Sequence, residues 1–169
     1  MLGIYSKRRS CRRFIADKMV EKEKIEKIIE AGLQAPSARN LQDGVIIVIN
    51  DKETRDRLMK LNNGGGDMDT FYGAPVILLV TSKKGEFAAL DGAAMIENML
   101  LAAAELGLGC CWIHRAKSEI ASKEGQELLK FTGLNFDEYE GVGHVILGYP
   151  QTNEVAPKII KEGRVYWSK

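Results

Sequence analysis

Residues 87–106 constrain this chain most. They read as one helix about 30 Å long, at ~1.5 Å rise per residue. Its circumference is mostly apolar, so it must be covered from several sides. Asp91, Glu97, Asn98 and Glu105 interrupt it without a flanking interfacial belt, which excludes a membrane span. If buried, Asp91 and Asn98 need hydrogen-bond partners. Gly107 stops the helix at the usual left-handed cap position.

The segments that could cover such a helix lie on both sides of it. Leu2, Ile4 and Tyr5 mark a short helix leading into residues 7–13. Ile25, Ile28, Ile29 and Leu33 recur at three- and four-residue steps, which predicts a helix over 21–33 that ends before Pro36. Residues 45–49 read as a buried strand, and Asp51 caps a helix reaching about Leu61. Residues 75–81 form an apolar run without alternation, which suits a strand buried on both faces. A strand at 109–114, a helix at about 124–131 closed by Gly133, and a strand at 141–149 follow. After Pro150 and Pro157 the tail carries a strand-like end at 164–167. Strands interspersed with helices around one sheet indicate an α/β or α+β sandwich. Tyr166 and Trp167 would be costly to leave in water, so the tail docks on a partner subunit or on its own.

At 169 residues the chain fits one domain, residues 1–169, with no linker, repeat or low-complexity segment. With 24 Lys+Arg against 23 Asp+Glu, it is no general polyanion binder. Three cysteines, two of them adjacent, make no disulfide framework and suit a reducing compartment. No Cys/His group has zinc spacing. The basic N-terminus lacks the apolar stretch of a signal peptide, so a cytoplasmic location is expected.

Against this balance, Lys7, Arg8, Arg9, Arg12 and Arg13 cluster around Ser10 and Cys11. Arginine forks pair bidentately with phosphate, and a hydroxyl adds one more bond. A small phosphorylated ligand is the sharpest reading; a solvated helix end or a nucleic-acid patch are the plain ones.

Several segments in order resemble the nitroreductase family of FMN-dependent oxidoreductases. They are residues 8–14 (Arg-Arg-Ser-Cys-Arg-Arg-Phe), 35–42 (Ala-Pro-Ser-Ala-Arg-Asn-Leu-Gln), 73–76, 101–113 and 147–150. The resemblance spans essentially the whole chain, at the compact end of the family. It implies an α+β fold with a central mixed sheet flanked by helices, and an intertwined homodimer with exchanged C-terminal tails and two FMN at the interface. It also implies a two-step turnover: NADH or NADPH reduces the flavin at N5, and a nitroaromatic, quinone or similar acceptor reoxidises it. By position, Arg8, Arg9 and Ser10 would hold the phosphate and ribityl chain, and Arg12 the pyrimidine edge. Pro36, Ser37, Ala38 and Asn40 would come from the other subunit. Asn63 lies near the family's amide on the ring's polar edge, and Trp112, Ile113 and His114 form the segment whose backbone faces the ring. The family's basic pair near the phosphate is spread here over Lys158, Lys161 and Arg164. Asp43-Gly44 stand where the family usually has a proline and an aromatic residue.

This chemistry needs positioning and charge rather than a nucleophile or base, which fits a chain without a triad or carboxylate pair. Arg13 and Lys7 are expected to be solvated, and Cys110 and Cys111 to be inert packing residues. Trp112 is expected in the core. His114 and His144 are expected to be hydrogen-bonded structural residues, with His114 also a candidate contact for substrate or flavin. Gly64-Gly65-Gly66 lacks the Lys-Ser/Thr of a P-loop and reads as a mobile loop over the site. The alternative functions are a non-catalytic flavin-binding or carrier protein, a specialised flavin chemistry, and nucleic-acid binding through residues 7–13.

Overall fold

A computed structural model of the chain describes residues 3–152, 156 and 158–168. Leu2 and Pro157, expected in the first helix and in the tail, lie outside the described residues. Four strands, β1 (Gly44–Ile49), β2 (Val76–Lys83), β3 (Gly109–Ile113) and β4 (Tyr139–Gly148), form one sheet in the order β1-β2-β4-β3. Six helices accompany them: α1 (Gly3–Lys7), α2 (Lys22–Leu33), α3 (Lys52–Asn62), α4 (Ala88–Glu105), α5 (Ala116–Ala121) and α6 (Lys123–Leu128). The class is α+β, as expected. A mixed sheet was expected; the named strands pair antiparallel, and the parallel component is an isolated bridge from Ser10 to Cys110 on the β3 edge. One residue pair is too short a contact to make a strand.

The apolar run of β2 does not alternate because the sheet is covered on both faces. Val76, Leu78 and Val80 pack with Ile25 and Ile28 of α2 and with Met95, Ile96 and Met99 of α4. Ile77 and Leu79 face the other way, toward Leu58 of α3, Ile120 of α5 and Leu128 of α6. The apolar circumference of α4 is divided between the sheet and α2. Close approach there needs glycine: a Cβ on Gly32 would lie 2.8 Å from Met99 Cγ, and one on Gly92 would lie 2.5 Å from Val142 Cγ2. Both polar residues of α4 find partners. Asp91 Oδ1 accepts from the Ala38 N–H at 3.0 Å, and Asn98 Nδ2 donates to the Ala31 carbonyl at 3.0 Å. The caps anticipated from sequence also form, with Thr54 N–H donating to Asp51 Oδ1 at 2.8 Å and Gly107 at φ +74°.

Two expectations are corrected. The helix expected at about 124–131 is α6, which stops at Leu128 and is followed by a 3₁₀ turn at Lys130–Thr132, and an unanticipated short helix, α5, precedes it. Ser122 divides them because its extended backbone frees its Oγ to accept from the Gly125 N–H at 3.0 Å, which starts α6 afresh. The strand-like end at 164–167 is irregular chain among the described residues. Val165, Tyr166 and Trp167 are 71%, 88% and 89% exposed, so in one chain this segment finds no apolar surface of its own. Among the described residues, no helix is long and apolar enough to cross a membrane.

Candidate functional site

Backbone stitching, not charge, fixes the basic N-terminal segment. Phe14 is buried over the glycines at the start of β3 and the end of β4, where Cβ atoms on Gly109 and Gly148 would lie 3.1 and 2.7 Å from its ring. Full burial of such a ring contributes on the order of 2–3 kcal/mol. The Cys11 N–H donates to the Cys110 carbonyl and the Ile15 N–H to the Tyr149 carbonyl, each at 2.8 Å. The Gln151 N–H donates to the Arg13 carbonyl at 3.1 Å. This frame leaves Arg8 and Arg9 half-buried and Lys7, Ser10, Arg12 and Arg13 exposed. Arg9 is held further by its own fork, with Nε donating to the Ala156 carbonyl at 3.2 Å and Nη1 to the Arg8 carbonyl at 2.8 Å.

These residues border an open cavity of about 1030 Å³, closed on another side by the turn from α4 into β3. Among the described residues its charged lining is entirely cationic: Lys7, Arg8, Arg9, Arg12, Arg13 and Lys158. Lys7 and Arg13, expected to be merely solvated, are exposed and part of this wall. Ser10 lines it too. Of the three basic tail residues, Lys158 reaches this cavity, whereas Lys161 and Arg164 are exposed and line neither cavity described here.

A second, smaller cavity of about 250 Å³ lies beside the first, and Arg12 belongs to both. The Arg12 guanidinium carbon sits 6.0 Å from the centre of the Tyr72 ring. The end of β3 forms one wall with Trp112, Ile113 and His114. Trp112, expected in the core, is 40% exposed. It lies over Gly143 of β4, its Nε1 only 2.2 Å from where a Cβ there would stand, so the missing side chain makes its seat. His114 is exposed. His144, by contrast, is fully buried and hydrogen-bonded, as anticipated.

Asn63, expected near the ring's polar edge, lines neither cavity, whereas its neighbour Asn62 lines the smaller one. On α3 the inward face carries Leu58 and Asn62, four residues apart, while Asn63 has passed into the turn with its amide against Gly66. Helical phase from Leu58 was the signal that could have found it. Thr70, Tyr72 and Arg115 also line the small cavity, and no motif marks them. Thr70 Oγ1 is buried without a hydrogen-bond partner among the described residues, so a ligand group can satisfy it. Gly64, in the glycine loop, lies close to Arg115, whose Nη2 is 3.7 Å from where a Gly64 Cβ would be.

Pro36, Ser37, Ala38 and Asn40 line neither cavity. Their loop is tied down elsewhere, by the Ala38–Asp91 bond and by the Gln42 N–H donating to Ser37 Oγ at 3.0 Å. Asn40 takes a left-handed backbone at φ +54°, and its Oδ1 accepts from Gln42 Nε2 at 3.0 Å.

The thiols at the seam are chemically quiet. Burial pushes Cys110 up to about 12 and outweighs the nearby positive charge of Arg8; burial also raises Cys11. At pH 8, on the order of one Cys110 thiol in ten thousand is then ionised. Iodoacetamide on native protein should leave Cys110 unlabelled while labelling it fully in denaturant, as read by peptide mass spectrometry. Among the described residues, no group of three His, Cys, Asp or Glu side chains is placed to hold a metal ion.

Comparison with known proteins places the chain in a family. The chain matches the Nitroreductase family over residues 5–67 and 62–149. It is 33% identical over 149 residues to an Archaeoglobus fulgidus protein that carries the provisional name NADH dehydrogenase/NAD(P)H nitroreductase, covering 85% of this chain and 82% of that one. A nitroreductase with bound FMN from Bacteroides fragilis has a TM-score of 0.87 at 26% identity, covering 96% of this chain and 95% of that chain. An FMN-dependent nitroreductase from Clostridium difficile has a TM-score of 0.81 at 27% identity, covering 100% and 99%. Similarity over nearly the full length, in sequence and in fold, has one meaning: this chain belongs to the nitroreductase family.

Proposed function

We propose that this protein is an FMN-dependent NAD(P)H oxidoreductase, acting as a homodimer on a nitroaromatic, quinone or similar acceptor. The observation that carries this reading is the pair of cavities joined at Arg12. Among the described residues, one is lined by cations and no carboxylate, the other by a strand end and an orphaned hydroxyl. A phosphate tail and a flat heteroatom-edged ring fit those two environments in that order. The larger cavity is at the top of the ~300–1,000 Å³ range of small-molecule sites.

When bound, FMN supplies the uptake of two electrons and their delivery to an acceptor. The chain supplies grip and electrostatics. Arg8, Arg9, Ser10 and Lys158 would hold the phosphate and the polar chain behind it with charge-assisted bonds. Arg12, between the cavities, would hold the polar edge of the ring, where a fixed positive charge favours electron uptake. Thr70 Oγ1 and Asn62 stand beside Arg12 on that side. The backbone of residues 112–114 would face the ring.

Two features support the dimer. The apolar tail of one chain is exposed, as are Leu33, Leu41 and Leu90 at 58%, 53% and 67%. The loop of Pro36, Ser37, Ala38 and Asn40, which lines neither of its own chain's cavities, would approach a partner's FMN, and Lys161 and Arg164 would travel with the exchanged tail. Purified protein, or apoprotein reconstituted with FMN, should show flavin absorbance that bleaches when NADH or NADPH is added anaerobically. Protein that cannot take up FMN defeats the reading; flavin that binds but no nicotinamide bleaches points to a carrier.

A further inference from the structure

We infer that Glu119, His144 and Asn62 are positioning residues that fix the corner between β3 and α5 against the bound ring, an inference that rests on the FMN reading above. All three side chains are buried, at 2%, 0% and 2% exposure. His144 Nε2 lies 2.7 Å from Glu119 Oε2, so one proton is shared between them. Asn62 Nδ2 donates to Glu119 Oε1 at 2.5 Å and to the His114 carbonyl at 2.8 Å. His144 Nδ1 lies 3.3 Å from the Ile113 carbonyl, an acceptor only, so that nitrogen carries a proton. Both carboxylate oxygens, both ring nitrogens and both amide hydrogens are thereby used. The outputs of this network are two consecutive backbone carbonyls of the wall that borders the small cavity.

The corner is closed from the other side as well. The Arg115 carbonyl accepts from the N–H of Ser118 at 3.0 Å and of Glu119 at 3.3 Å, so the first turn of α5 winds from the corner and returns the Glu119 side chain beneath it. Phe71, fully buried, packs edge-on against His144 with ring centroids 5.3 Å apart. A trans peptide sets its N–H opposite its carbonyl. Drawing the Ile113 and His114 carbonyls toward the network therefore turns the N–H groups of His114 and Arg115 away from it. Arg115 is held at φ +80°, a left-handed geometry that costs a non-glycine residue on the order of 1 kcal/mol. A buried acid–base pair is a weak source of stability, since well-packed apolar residues often do as well. Its presence here, ending on the carbonyls of a strained corner, is accounted for by positioning.

The test compares Glu119→Gln with the apolar pair Glu119→Leu/His144→Leu, reading apoprotein melting, FMN affinity by fluorescence quenching, and the midpoint potential of bound flavin. The amide of the Glu119→Gln variant can still accept from Asn62 and donate to His144, so FMN affinity should stay near wild type. The apolar pair should melt close to wild type yet bind FMN roughly fivefold to tenfold more weakly, with a shifted potential, as expected for losing one preorganised hydrogen bond. Should the pair fail to fold, Asn62→Ala, which releases the His114 carbonyl, decides by the same readouts. A folded apolar pair, or a folded Asn62→Ala variant, with wild-type affinity and potential overturns the inference while leaving the FMN reading intact. Wild-type protein that binds no FMN overturns that reading and this one with it.

Discussion

Replacing His144 alone with leucine should destabilise the protein by about 3–5 kcal/mol, because the Glu119 carboxylate is left in the core without its partner. In a chain of this size each kcal/mol lowers the melting temperature by roughly 2–4 °C, so the drop should be about 6–20 °C. The size follows from burial: Glu119 and His144 are 2% and 0% exposed, so water cannot replace the lost bond. Asn62 still donates to one oxygen, but the other, bonded at 2.7 Å to His144 in the native protein, is stranded and keeps its desolvation cost. Adding Glu119→Leu removes the stranded carboxyl group and should recover most of the stability. Denaturant titration of both variants checks this. A single His144→Leu variant as stable as wild type would show that Glu119 has another partner.

The second large effect concerns the phosphate. Arg8→Ala/Arg9→Ala should weaken FMN binding by roughly 10²–10⁴-fold, since a hydrogen bond to a charged group contributes ~1.5–3 kcal/mol and two forks are removed. Their half-burial makes them less replaceable by solvent than the exposed Lys7 or Arg13. Arg9 is also oriented in advance by the Ala156 and Arg8 carbonyls, so little of its entropy remains to be lost on binding. Fluorescence quenching of added FMN measures the change, and riboflavin, which lacks the phosphate, gives the control: its affinity should barely move. Equal losses for FMN and riboflavin would mean that the two arginines hold the segment's shape rather than the phosphate.

The sequence carried the fold because local patterns and burial agreed. The unalternating run of β2, the near-complete apolar circumference of α4 and the 3.6-residue period of α2 each state how many sides must be covered. Those three demands leave a sheet with helices on both faces. The basic cluster was equally legible, since five cations around Ser10 stand out in a charge-balanced chain. Three things were not. Asn62 and Asn63 differ by one residue, a rotation of ~100° on a helix, and only packing says which faces inward. Trp112 looked like core because large aromatics usually are, and Gly143 on another strand turned it into a wall. Glu119 lay in a stretch to which no element or motif was assigned, and its partner His144 is 25 residues away.

Composition and periodicity therefore determined the layers, the sheet and the cation-bearing segment, because each depends on residues near one another in the chain. The tertiary structure alone decided that Arg12 stands between two cavities and that Asn62, Glu119 and His144 converge beneath the end of β3. Hydrogen bonds reach about 3 Å. Which side chains come that close is set by how strands pair and helices cross, and no local pattern in the chain encodes it.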